Sequence, residues 1–387
     1  MSAEYVLEPD NGAHAAPAIP GLSGAVPTST EARAKRRIAA LEDELQTMKE
    51  ERGTKQRKTS YYVAQGRAIR RAVVLYTSLE SLVLENDRRY DELQGSVDGL
   101  LVDTTTQQDR LQRGYIAFTQ TLPWLHGKLT SLDTEDCQDM MKKLKKGADA
   151  ARGDDTSTLK DLIATWINQD FRPSALLRPD DKQLRGFVHD VCGKLLCPAE
   201  WDWNNDRVKA GIRDRTSEFI VSENSWPLFL YENYSFDDSN LEKGLFQSKI
   251  LIQAFKAIYT SPSSAKEVDG DGNGADILES NRRARRALNQ VKVKTCVRFA
   301  LSSVSSWRTI DGDFDYEVFW NNIVDFFEDV PGPAARRRVA QLLEWWTRKI
   351  FGKNHRQDLT PEVVSKMSVT ALAEQRRAQE DAAFDSE

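Results

Sequence analysis

The stretch DYEVFWNNIVDFFEDV, residues 315–330, decides the fold. Val318, Phe319, Ile323, Phe326 and Phe327 fall at i, i+1, i+5, i+8 and i+9, a wide apolar face with the period of a helix. Asp313 and Asp315 stand before it as candidate N-caps. Toward the C-terminus, Pro331-Gly332-Pro333 breaks the chain, and Pro333 suits the first turn of a further helix. Val339, Leu342, Leu343, Trp346 and Ile350 form the stripe of that helix, and Gly352 fits its end. Thr360-Pro361 opens a short helix by the same logic, and a last helix runs through Leu372. Toward the N-terminus, helices are predicted over 276–303, 245–259, 206–221, 184–196, 159–166 and along Ile69 to Val83. Only 291–297 tempts as a strand. The expected fold class is mainly α: multi-helix, bundle-like domains with a disordered N-terminal arm.

Residues 1–30, rich in Ala, Pro, Gly, Ser and Thr, cannot bury enough apolar surface to offset chain ordering, so they are expected to form that arm. A helical module follows over 31–150. Its first helix carries Ile38, Leu41, Leu45 and Met48 at 3-4-3 spacing. These are the a and d positions of a short coiled-coil-like seam, which Arg52 and Lys55 end. Such a seam serves self-association, or docks its helix on the chain itself. The polar run 147–158, with Arg152-Gly153-Asp154-Asp155, reads as a loop and a boundary. A Trp-rich helical domain is expected over 159–375, with a frayed acidic tail at 376–387.

The chain of 387 residues is 40% hydrophobic and holds nine Trp, enough for a sizeable core, which excludes a collagen-like or wholly disordered protein. Cys137, Cys192, Cys197 and Cys296 do not make a disulfide framework and fit a reducing, intracellular setting, cytoplasmic or nuclear. Glu4, Glu8 and Asp10 argue against a secretory signal, and Pro17, Pro20 and Pro27 against a membrane helix in the uncharged run 11–30. A formal net charge of −5 argues against bulk nucleic-acid binding. Residues 281–310, however, carry eight basic side chains and no acidic one. Arg282, Arg283, Arg285, Arg286, Lys292, Lys294 and Arg298 therefore form the candidate interaction surface, suited to nucleic-acid phosphates, to an acidic protein partner, or to the acidic loop that precedes it.

Other clusters carry less. His189, Cys192 and Cys197 have ligand-like spacing but no fourth partner nearby for zinc. Asp269-Gly-Asp271-Gly-Asn273-Gly274 resembles the opening of a calcium loop, but Ser280 stands where the bidentate Glu belongs. Asp311, Asp313, Asp315 and Glu317 alternate as the carboxylates of a metal-dependent hydrolase would, although two of them explain themselves as helix caps. With four His and no nucleophile elbow, dinucleotide fingerprint or P-loop, the chain names no catalytic residue, cofactor or metal, and the balance is against an enzyme.

Several segments together are similar to an uncharacterised fungal family known as a domain of unknown function, abundant in mushroom-forming species. They are Cys197-Pro-Ala-Glu-Trp-Asp-Trp203, Gly211-Ile-Arg-Asp214, Glu223-Asn-Ser-Trp-Pro227, Asn281-Arg-Arg-Ala-Arg285, Arg298-Phe-Ala-Leu-Ser-Ser303, Trp307-Arg-Thr309, Asp311-Gly-Asp-Phe-Asp-Tyr316 and Leu343-Glu-Trp-Trp-Thr347. The resemblance covers about residues 160–375 and implies no catalytic residue. The resemblance also implies that this chain lacks about one helix between Thr295 and Val297, so its basic region is expected to lie partly uncovered.

Overall fold

The computed structural model describes residues 37, 38, 41, 42, 44, 45 and 48, then 59–95, 104–266, 287–352 and 360–384. The arm expected over 1–30 and the calcium-like loop at 269–274 lie outside the described residues. The chain divides into two units, residues 1–58 and 59–387. In the first, the described residues are helical, and Ile38, Leu41, Leu45 and Met48 are each about half exposed.

The second unit is built from α1 (Leu79–Gly95), α2 (Thr106–Thr121), α3 (Thr134–Phe171), α4 (Asp190–Leu196), α5 (Asp206–Arg213), α6 (Lys249–Tyr259) and α7 (Ala287–Leu301). A minimal hairpin follows, β1 (Ile310–Asp311) with β2 (Phe314–Asp315), and then α8 (Tyr316–Glu328), α9 (Pro333–Phe351) and α10 (Ser368–Phe384). The mainly α class therefore holds.

Local chemistry sets many of the ends. Asp315 caps α8 by accepting from the backbone N–H of Glu317 and Val318. Pro333 opens α9, and Gly352 closes it in the left-handed region, at φ 74°. Thr360 caps the short helix Pro361–Ser365. Thr105 and Gln108 form a reciprocal capping box on α2.

Two hydrophobic cores share one long helix. The 38 residues of α3 run about 57 Å at the usual rise. Met140, Met141, Leu144 and Ala148 from its first half pack with Ile69, Leu79, Leu82 and Phe118. Leu159, Ile163, Ala164 and Ile167 from its second half enter a larger, aromatic core with α6, α7, α8 and α9. The loop expected at 147–158 is thus the middle of a helix. The physical reason is that its polar look has tertiary causes. A Cβ on Gly147 would stand 1.9 Å from the Val63 carbonyl oxygen, and one on Gly66 2.1 Å from that of Leu144, so these glycines let two helix backbones touch. Asp155 is buried in an ion pair.

Two other expectations shift. The strand-like run 291–297 is inside α7. The helix predicted over 206–221 stops at Arg213, because the chain turns at Arg215 (φ 54°) and folds Phe219 back onto Gly211. Bonds from Arg110 to Asp325 and from Arg113 to Glu328 (2.8 Å) tie α2 to α8.

Candidate functional site

From Lys292 to Ala300 every residue of α7 is buried. A helix buried all round is usually apolar all round. This one carries three cations inward, with Lys292 0%, Lys294 1% and Arg298 3% exposed. That corrects the expected basic surface: these three of its seven residues face the interior, and Arg282, Arg283, Arg285 and Arg286 lie outside the described residues. The helix also runs unbroken through Thr295 and Val297, and the cover expected to be missing there is present over Lys294 and Arg298.

Each buried cation has its own reason. The Lys292 ammonium donates to Asp155 Oδ2 at 2.5 Å. Arg71 completes the group, its Nε on Oδ2 at 3.0 Å and its Nη2 on Oδ1 at 2.5 Å. Burial alone would raise the Asp155 carboxyl, but Lys292 and Arg71 hold it below the usual carboxylate range. Asp155 was legible in principle, since Ala151, Asp155, Leu159 and Ile163 continue one buried face at a spacing of four.

Lys294 sits among rings. Its Nζ lies 4.4 Å from the centroid of Phe246, 5.0 Å from Phe327 and 6.0 Å from Trp346, and has no hydrogen-bond partner among the described residues. Burial pulls its amine well below the ordinary lysine value. The folded chain therefore sheds a proton that the unfolded chain holds up to about pH 10.4. Lys294→Met is expected to raise stability in urea by about 1–3 kcal/mol at pH 7, because it removes an unsatisfied buried group at similar volume. The gap should narrow as pH rises from the lowered folded-state value toward the unfolded value of about 10.4, since the wild type gains up to about 1.4 kcal/mol per pH unit where Lys294 is neutral only in the folded state. A less stable Met variant would refute this account.

The C-terminal end of α7 collects two more cations. Lys182 donates to the carbonyls of Phe299 (2.5 Å) and Val304, and Arg185 to Ala300 (2.9 Å) and Lys160 (2.9 Å). The bonds to Phe299 and Ala300 satisfy orphan carbonyls of α7, where the helix dipole is negative. Burial pulls Lys182 down to about 7.

Arg298 stacks its guanidinium on Phe314, 3.2 Å from the ring centroid. It borders a pocket of about 170 Å³ between the hairpin, the end of α7 and the 219–221 turn. Gly312, at φ 64°, makes the tight turn that brings Asp311 and Asp313 to this rim. The carboxylates Asp311, Asp313 and Asp315 do not act as one group: Asp315 caps α8, while Asp313 pairs with Arg215 at 2.7 Å.

His189 is the N-cap of α4, its Nδ1 accepting from the Cys192 N–H and its Nε2 donating to Ala175 O at 2.8 Å. Burial pushes the thiols of Cys192, Cys197 and Cys296 up to about 12, so they stay protonated. A broader groove of about 920 Å³ lies between the 239–247 loop and α9, lined by Leu241, Leu342 and Trp345 and bordered by the Arg338–Glu242 pair. Among the described residues no helix is long and apolar enough to cross a membrane.

The rings, the buried cations and the hairpin pocket come from one continuous part of the chain. No curated protein and no solved structure matches it. Residues 146–351, a little over half of the chain, match a family of unknown function that begins before and ends before the 160–375 span of the resemblance. The chain therefore belongs to the family of unknown function DUF6698.

Proposed function

We propose that the chain is an intracellular helical interaction protein that self-associates through its N-terminal helix. The observation that carries this reading is the apolar seam of Ile38, Leu41, Leu45 and Met48, about half exposed on helical residues. In the register that puts Ile38 and Leu45 at a, Arg37 and Glu44 occupy g positions and Glu42 an e position. In a parallel pair, Arg37 of one copy faces Glu42 of the other, and Glu44 faces Lys49, the next e position by sequence. Both pairs are attractive, so a second copy in parallel is the occupant that the charges favour. Two heptads make a weak contact, and the dimer should depend on concentration.

Light scattering on the full chain tests this. A dimeric mass is expected at high concentration, falling to monomer on dilution, and the double variant Leu41→Glu, Leu45→Glu should stay monomeric. A wild-type chain that is monomeric throughout, or a double variant that still dimerises, refutes the proposal. The rival reading, nucleic-acid binding through the basic run, loses the three side chains that point inward. Salt-sensitive retardation of nucleic acid in a gel would restore it on Arg282, Arg283, Arg285 and Arg286.

A further inference from the structure

Around α7, Asp155 holds Lys292 and backbone carbonyls hold Lys182 and Arg185, while Lys294 lies against rings without a hydrogen-bond partner among the described residues. Arg298 differs in bordering a pocket. It is buried against Phe314 and Tyr316, and its Nε, like that of Arg185, has no hydrogen-bond partner among the described residues. An unmade bond on a buried guanidinium is costly, and the planar fork of that group matches a carboxylate through two parallel bonds.

The rest of the pocket narrows the ligand. Phe187, Ile212 and Phe219 give an apolar wall. Asp311 lies on the rim, and the Arg215–Asp313 pair neutralises itself. The acidic rim disfavours a dianion such as a phosphate monoester, while one guanidinium at the pocket wall suits a single negative charge. The volume of about 170 Å³ equals that of about six waters, the scale of a short branched acid. We propose that this pocket binds a small monocarboxylate, its carboxylate on Arg298 and its apolar body against Ile212 and Phe219.

Titration calorimetry on the full chain tests the assignment with isovalerate as probe and isovaleramide as its neutral twin. Isovalerate is expected to saturate with a Kd below about 10 mM, a weak limit for a ligand of this size. The amide should bind about tenfold or more weakly, because it lacks the charge that the guanidinium reads. Arg298→Met should abolish the preference for the acid. Ile220, half exposed at the pocket mouth, provides a second variant that leaves the interior intact. Ile220→Glu should weaken isovalerate about fivefold by like-charge repulsion while sparing the amide. Equal binding of acid and amide, no binding of isovalerate below that limit, or an Ile220→Glu variant that binds as the wild type does would overturn the proposal, whether or not Arg298→Met folds.

Discussion

Asp155→Ala is expected to cost about 3–5 kcal/mol of stability, the usual penalty when one partner of a buried ion pair is removed. The variant leaves the Lys292 ammonium, which is fully buried, with no counter-charge. Arg71 suffers less, because its side chain is about one-third exposed and can turn to water. The loss should therefore belong mostly to Lys292. Asp155→Leu combined with Lys292→Met should recover most of it, since an apolar pair of similar volume often equals a buried salt bridge. Urea midpoints of the wild type, both single variants and the double variant form the cycle that isolates the coupling. A single-variant loss under about 1 kcal/mol would show that the pair is not buried as described. The pH dependence has a fixed sign: the folded-state carboxyl is depressed, so its contribution is present above the unfolded value of about 3.9 and is lost as pH falls through the folded one.

Trp346→Ala should cost a similar amount, about 3–5 kcal/mol, through the cavity it leaves in the larger core. Trp346 is 2% exposed, packs 5.6 Å from Phe255 between ring centroids, and donates its indole N–H to Phe246 O at 3.0 Å. It also forms one wall of the Lys294 cage. Trp346→Phe should cost about 1 kcal/mol or more, since it keeps ring volume but leaves the Phe246 carbonyl without its donor. Trp345 is the internal control: adjacent in sequence but only partly buried, it should cost much less as Ala. Circular dichroism in urea reads all three without relying on tryptophan emission. Equal losses at 345 and 346 would contradict the burial that separates them.

What could be read without coordinates follows the range of the forces involved. Asp315, Pro333, Gly352 and Thr360 act within a few residues of themselves, and each stands at the helix end their chemistry predicts. Gly147 and Asp155 resemble loop residues because their partners, Val63 and Lys292, are remote in the chain. Lys292, Lys294 and Arg298 mislead for the same reason: a basic run reads as solvated until Asp155, the ring cage and Phe314 are placed around it. The hairpin pocket was visible only as scattered segments, since Arg215, Arg298 and Asp311 meet through turns that no periodicity announces.

Helix α3 has a practical consequence for anyone shortening the gene. The family match opens at residue 146, whereas the helix opens at Thr134. A fragment trimmed to that match would start about one-third of the way along a rod and strip away Met140, Met141 and Leu144, which hold the neighbouring core. Trimming ahead of Thr59 spares the whole rod and both interiors that lean on it.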